Sequence, residues 1–393
     1  MIGINVIRGA FGAAAWAAAK VPVLNARFKI NSRLEGPWPE GPFLWLHGAS
    51  LGECRMLLNL SKCLQEDLPS CPRILITSQK MEVVEFLKAS GASIEAALAP
   101  VDTPQAMTRF VKTVMPIALV LAENELWPGY LSTMRKLMLE PSVALVSGRF
   151  YRCVDCSELS SIGFASMQTG ADLTRFVAAG EFTFPVKAII GGDWKLLAWA
   201  RSGKEVELPQ NPKVDTAFLS MHIKEWASLQ RMLVAALQHD EAVVLIPRRP
   251  EEIAAFREQM RDQEMVVVDW PSVEKGAVSL VSSFGQTKDV LAISKTAVVG
   301  GSFARTLGVH DFWEPLQMGV STCVGPFSRG QTDSIDALLR EGAIAKINTP
   351  MDFNSRFIPD IKLVRGFLNH EREKIVASYD AFLNYLKGLN KSV

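Results

Sequence analysis

Short apolar runs alternate along the chain with longer stretches whose apolar residues recur at three- and four-residue spacing. The first runs fall at 43–47, 73–77, 94–99, 117–122, 143–147 and 164–168. They have the length and near-continuous apolar character of strands covered on both faces. Intervening segments such as 81–89 and 104–114 have helical spacing. After a polar, proline-containing stretch near 207–213 the alternation resumes, with runs at 217–220, 242–247, 265–269, 278–282, 297–301, 322–325 and 344–347. Strand–helix–strand alternation predicts parallel sheets made of βαβ units. Two such series in succession predict an α/β chain with two Rossmann-like domains facing a cleft. In such sheets, ligands sit at the carboxyl ends of strands. The segment 360–389 has helical spacing and no strand signal. The expected division is an N-terminal helix over 1–24, a first domain over 25–203 and a second over 204–393.

Length and composition agree with this division. A chain of 393 residues exceeds the usual size of a single core, and 48% hydrophobic against 21% charged residues is a globular balance. The formal net charge of +1 gives no global attraction to nucleic acid, so an anionic ligand must be held by local charge. Six cysteines lack the spacing of a disulfide framework, and Cys153-x-x-Cys156 alone cannot complete a four-ligand zinc site. Reduced thiols in a cytosolic environment are expected.

The apolar segment 2–19 is rich in Ala and Gly and carries Arg8, which argues against a spanning helix. Its cations follow it (Lys20, Arg27, Lys29 and Arg33), the reverse of a signal peptide. That order suits a helix lying in an anionic leaflet. The plainer alternative is a helix packed on the protein's own surface.

Four segments at predicted strand ends carry chemistry. In Trp45-Leu-His47-Gly-Ala-Ser50-Leu-Gly52-Glu53, a strand enters a turn of small residues and a helix begins near Gly52-Glu53. A carboxylate there can take a proton from a hydroxyl, or it simply suits the helix dipole. In Glu123-Asn-Glu125-Leu-Trp127-Pro128, two acids directly follow a buried strand, where folding alone explains them poorly. Gly300-Gly-Ser-Phe303, with Gly308-Val-His310-Asp311-Phe312-Trp313-Glu314, offers glycines that admit a phosphate or ribose and acids that accept from ribose hydroxyls. Pro247-Arg248-Arg249-Pro250-Glu251 presents paired arginines suited to phosphate or carboxylate, or ordinary surface arginines.

Together, and in this order, these segments resemble the family of transferases for 3-deoxy-D-manno-octulosonic acid (Kdo). His47, Ser50, Gly52 and Glu53 match its His-x-x-Ser-x-Gly-Glu turn. Residues 123–128 match Glu-Thr-Glu-Leu-Trp-Pro, with Asn124 replacing Thr. Ala99-Pro-Val-Asp102-Thr-Pro104, Ser147-Gly-Arg149, Gly191-Gly-Asp-Trp-Lys195, Pro247-Arg-Arg-Pro-Glu251, Gly300-Gly-Ser-Phe303 and Gly325-Pro326 fall where the family has similar segments. The likeness runs from about residue 40 to about residue 345. Departures cluster in the second domain. Gly308-Val-His310-Asp311-Phe312-Trp313-Glu314 replaces Gly-Gly-His-Asn-Pro-Leu-Glu, Ser220-Met-His222-Ile-Lys-Glu225 replaces Ser-Thr-His-x-Gly-Glu, and Gly285-Gln286-Thr287 replaces Gly-Glu-Leu.

The resemblance implies a GT-B type glycosyltransferase that moves Kdo with inversion from CMP-Kdo to a lipid A precursor of the lipid IVA type. It would work at the cytoplasmic face of the cell inner membrane, against an anionic lipid surface. It implies Glu53 as the base on the acceptor hydroxyl, with Glu123 and Lys195 stabilising the transition state. It implies CMP contacts from Arg248, Arg249, Pro250, Gly285, Gln286, Thr287, Asp311, Phe312, Trp313 and Glu314. No metal and no cofactor beyond the donor are expected, since a leaving monophosphate beside cations does not demand a metal and no Asp-x-Asp motif is visible. Two alternatives remain from other classes: a sugar-nucleotide epimerase on the same fold, and a non-catalytic descendant that binds nucleotide or lipid.

Overall fold

The computed structural model describes residues 12, 14–138, 141–151, 156–180, 182, 185–283, 285–353 and 360–389. The side chains of Cys153 and Cys156, and most of the apolar segment 2–19, lie outside the described residues. The chain divides into two compact units, residues 1–202 with 371–393, and residues 203–370.

The N-terminal unit is built on seven strands, β1 (Phe43–His47), β2 (Ile74–Ser78), β3 (Glu95–Leu98), β4 (Pro116–Ala122), β5 (Val143–Gly148), β6 (Ile162–Met167) and β7 (Lys187–Ile190). Their order is β3-β2-β1-β4-β5-β6-β7, and every neighbouring pair is parallel. All five residues of β1 are buried because helices cover both faces, so its sequence is apolar without alternation. Trp45 packs against Phe110 and Tyr130, with ring centroids 4.6 and 4.9 Å apart. Strand order reverses between β1 and β4, the switch point at which open α/β sheets bind ligands.

Side-chain caps start the helices. Ser50 caps Leu51–Asp67 in a capping box with Glu53, and Thr103 caps Pro104–Val114, which has proline in its first turn. Near the N-terminus, residues 14–19 are helical, and the run breaks at Lys20-Val21. Two short helices follow, Pro22–Phe28 and Ile30–Glu35, separated by Lys29 in the left-handed region at φ 48°. The single helix expected over 1–24 is thus interrupted, because Pro22 has no N–H to continue the ladder. No helix among the described residues is long and apolar enough to cross a membrane.

The second unit has β8 (Val214–Met221), β9 (Val243–Pro247), β10 (Val267–Asp269), β11 (Val278–Leu280), β12 (Ser294–Val299), β13 (Ser321–Val324) and β14 (Ala345–Lys346). Their order is β10-β11-β9-β8-β12-β13-β14, again all parallel, with the reversal between β8 and β12. Gly300 lets these two strand ends meet, since a Cβ there would lie 2.4 Å from the Ser220 carbonyl oxygen.

The long helix Ile361–Leu389 corrects the expected boundary, because its residues from Glu371 onward belong to the first unit. The reason is aromatic packing. Phe382 lies 5.5 Å from Phe164 and 5.6 Å from Trp194, and the Tyr385 hydroxyl donates to the Pro141 carbonyl at 2.8 Å. The Trp194 indole donates to Ser378 at 2.9 Å. Strand β7 is also absent from the expected set, because Lys-Ala-Ile-Ile at a half-exposed sheet edge gives a weak apolar signal.

Candidate active site

Four strand ends of the first sheet, β1 and β4 at the switch point together with β5 and β7, carry the chemically active side chains. After β1, the turn 47–50 leads into the Leu51–Asp67 helix, whose third residue is Glu53. The Glu53 Oε2 accepts from the backbone N–H groups of Ala49 at 2.6 Å and Ser50 at 2.9 Å. Among the described residues, Oε1 accepts none. Glu53 therefore has the capping role and still presents an oxygen. Burial, and then the carboxylates of Glu123 and Glu125, hold its carboxyl above the usual range against the pull of the two N–H donors.

After β4, Glu123 sits at φ 50°, a conformation that non-glycine residues avoid and that clusters at functional sites. This backbone turns a carboxylate that is only 2% exposed between two cations. Oε1 lies 2.6 Å from Lys195 Nζ, and Oε2 pairs with the Arg149 guanidinium. Lys195 reaches in from the turn Trp194–Leu196, which Asp193 caps through the Lys195 N–H at 3.0 Å. Its Cε lies 3.8 Å from where a Cβ on Gly52 would stand, an ordinary contact distance, so the lysine runs beside the start of the Glu53 helix. Burial draws the Lys195 ammonium down, yet Asp193 and Glu123 outweigh it and hold it above its ordinary value. The Arg149 guanidinium is balanced in the same way by Glu123 and Asp193. Ser147, itself at φ 53°, donates to Asp193 at 3.1 Å and accepts from the Trp194 N–H at 3.0 Å, which joins the ends of β5 and β7.

Glu125 turns elsewhere. Its Oε2 accepts from the Trp127 indole at 2.7 Å and lies 3.4 Å from Nε2 of the fully buried His47. Burial raises its carboxyl, but contact with His47 and the Trp127 N–H overcomes this and leaves it below the usual range.

In the second unit, Glu225 holds two strand ends together. Its buried carboxylate accepts from the N–H groups of His222, Gly301 and Phe303 at 3.0, 2.9 and 3.0 Å. His222 and His310 meet Nε2 to Nε2 at 2.8 Å, so one ring donates to the other. Burial, with Arg248, His222 and Arg249 close by, pushes His310 down to about 3. Arg248 and Arg249 are exposed at the end of β9, where Pro250 opens a short 3-10 turn. Gly285 has φ 85°, Gln286 accepts from the Trp270 indole at 3.1 Å, and Thr287 begins a short helix. Asp311 accepts from the N–H groups of Trp313 and Glu314 at 2.9 and 3.3 Å, and Glu314 is half-buried. Phe312 and Trp313 are 1% and 4% exposed, and Trp313 stacks on Phe367. Both side chains pack inward, which leaves their backbone and small exposed edges as the parts open to a ligand. Among the described residues no group of three His, Cys, Asp or Glu side chains is placed to hold a metal ion.

Residues 22–154 match the family described as 3-Deoxy-D-manno-octulosonic-acid transferase (kdotransferase). A 3-deoxy-D-manno-octulosonic acid transferase of Aquifex aeolicus (strain VF5) is 26% identical over 356 residues, covering 88% of this chain and 94% of the relative. Its counterpart in Bordetella pertussis is 28% identical over 341 residues, covering 78% and 76%. The chain thus carries a Kdo transferase family domain over residues 22–154 and is similar to these transferases along most of its length. Among solved structures, the UDP-GlcNAc 2-epimerase of Neisseria meningitidis is similar at TM-score 0.54 and 10% identity, covering 88% of this chain and 100% of that one. That likeness concerns the fold alone.

Within the Kdo transferase family domain and the sheet it belongs to, Glu53, Glu123 and Lys195 come together at one strand-end cluster. Arg149 joins them, and the sequence motifs did not single it out as a site residue. The signal available was its position directly after the apolar run 143–147, where a side chain lands at a strand's carboxyl end. Glu225 lies in a motif that departs from the family's pattern at Met221 and Lys224, and its carboxylate accepts three backbone hydrogen bonds.

Proposed function

We propose that this chain transfers Kdo from CMP-Kdo to a lipid A precursor, with inversion at the anomeric carbon. The observation that carries the reading is the cluster of a weakly acidic Glu53 beside a Glu123 clamped by Lys195 and Arg149, in a chain with a Kdo transferase family domain. Glu53 Oε1 takes the proton of the acceptor hydroxyl as its oxygen bonds to the anomeric carbon. The bond from that carbon to the phosphate oxygen breaks, and its electron pair leaves with CMP. Lys195 and Arg149 supply positive charge near the sugar carboxylate or the departing phosphate, and Glu123 holds both cations in place. Arg248 and Arg249, with the backbone around Gly285 and Asp311, are the proposed CMP contacts in the second unit.

The test is CMP release from CMP-Kdo in the presence and absence of a tetra-acylated glucosamine disaccharide bisphosphate. Release that depends on the lipid, together with a lipid product heavier by one or more Kdo units, is expected. Release without a lipid product, or none at all, sinks the reading.

The membrane part of the proposal is supported by the Pro22–Phe28 helix, which buries none of its residues. Val23, Leu24 and Phe28 are 75%, 38% and 49% exposed, beside the exposed cations Lys20, Arg27 and Lys29. An apolar ridge among cations suits an anionic lipid interface at the inner membrane's cytoplasmic face. Replacing Val23, Leu24 and Phe28 with Ser is expected to reduce co-flotation with phosphatidylglycerol-containing vesicles at least several-fold, as loss of buried apolar area requires. Unchanged flotation would remove this surface from the proposal.

A further inference from the structure

Two histidines and a glutamate that follow β8, β9 and β12 form a connected line of side chains in the second unit. His222 comes directly after β8, and the His310 N–H donates to the Gly300 carbonyl at the end of β12, at 3.1 Å. Glu252 closes the 3-10 turn Pro250–Glu252 after β9. Its Oε2 lies 3.6 Å from Nδ1 of the buried His222 and is itself buried without a hydrogen-bond partner among the described residues. The other ring nitrogen, His222 Nε2, faces His310 Nε2 at 2.8 Å.

Two neutral imidazole nitrogens at that distance share a single proton, because two N–H groups would collide and two lone pairs would repel. Each ring has one further nitrogen, so placing one proton places the rest. A lone pair on His222 Nδ1 would be repelled by the buried Glu252 oxygen, whereas an N–H there is attracted to it. With that proton on Nδ1, His222 Nε2 accepts from the His310 Nε2–H, and His310 Nδ1 is left as an acceptor. Burial keeps both rings neutral. Arg248 and Arg249 act in the same direction, and Glu252 and Glu225 oppose it at His222.

His310 is half-exposed, and its Nδ1 makes no hydrogen bond among the described residues and is not buried. An acceptor nitrogen repels phosphate oxygens, which the neighbouring exposed Arg248 and Arg249 suit instead. We propose that His310 Nδ1 accepts a hydrogen bond from a hydroxyl or amino group of the bound nucleotide, with His222 and Glu252 as positioning residues that set its tautomer. This rests on the reading of the second unit as the CMP site.

The experiment joins nitrogen-15 NMR of the histidine rings in the full chain to calorimetric titration with CMP, both at neutral pH. His222 is expected in the Nδ1–H form and His310 in the Nε2–H form. The reverse pattern, or a charged pair, overturns the proposal even if no variant folds. Glu252→Leu is expected to turn the two tautomers into a mixture and to weaken CMP binding, with His310 still in place. Unchanged tautomers in that variant would remove Glu252 from its role. His310→Ala is expected to weaken CMP binding by about three- to tenfold, the scale of one hydrogen bond, and His310→Asn to recover part of the loss. If the loss disappears with CMP analogues lacking one or the other ribose hydroxyl, the ribose supplies the donor; if it disappears with UMP, the cytosine amino group does. An equal loss for all these nucleotides, or no loss in a folded variant, overturns the proposal. Intact CMP binding without sugar transfer would strike the transfer reading alone, whereas absent CMP binding strikes the nucleotide site and this contact together.

Discussion

Glu123→Ala is expected to lower the unfolding free energy of the N-terminal unit by about 3–5 kcal/mol. The carboxylate is almost wholly buried, and Arg149 and Lys195 are themselves only 18% and 25% exposed. Removing it leaves two cations facing each other with Asp193 as their remaining shared anion. Their mutual repulsion is then uncompensated in a region where water screens poorly. The alanine keeps the φ 50° backbone, so the strain at this position does not change and the loss reads the ion cluster alone. Urea unfolding followed by amide exchange in β4 and β5 measures it. A loss below about 1 kcal/mol would mean that both cations swing to solvent and that the cluster is not preorganised.

Glu53→Gln is expected to reduce kcat for Kdo transfer by about 10²- to 10⁴-fold, the usual contribution of a general base, with no loss of stability at neutral pH. The two halves of this expectation separate a base from a helix cap. Because the folded-state carboxyl is held above its unfolded value, ionisation opposes folding. Stability is full below the unfolded pKa and declines as pH rises through the folded one. Glutamine never ionises and so escapes that decline, while its amide oxygen still accepts from the Ala49 and Ser50 N–H groups. If Glu53 served only as a cap, activity would be nearly retained, since a cap contributes about 1 kcal/mol. The comparison is made by steady-state kinetics and thermal unfolding on the same preparation.

Most of the scaffold could be read locally. The runs 43–47, 117–122 and 143–147 coincide with β1, β4 and β5 to within a residue, because strands buried on both faces must be apolar at every position. The segments 81–89 and 104–114 are the observed helices Met81–Ala89 and Pro104–Val114. Parallel strand order then sends each post-strand motif to the same edge of its sheet, so residues far apart in sequence could be grouped before any contact was known.

Other features could not be read this way. Glu123 and Glu125 stand two residues apart in one motif, yet one is clamped by cations and the other by His47 and Trp127. Phe312 and Trp313 directly follow the exposed Asp311 in one motif, yet both are buried. The helix Ile361–Leu389 reads as one uniform element but is divided between the two units.

What the sequence determined by itself was two series of parallel strands, with acids, glycines and arginines at their carboxyl ends. Apolar periodicity and βαβ alternation are local properties that survive without knowledge of partners. What only the tertiary structure decided was which of those groups meet. A left-handed backbone at Glu123 and Ser147, and donors arriving from β2, β5 and the turn after β7, set each carboxylate's charge and direction. Those choices depend on side chains brought together by sheet order, and no spacing along the chain records them.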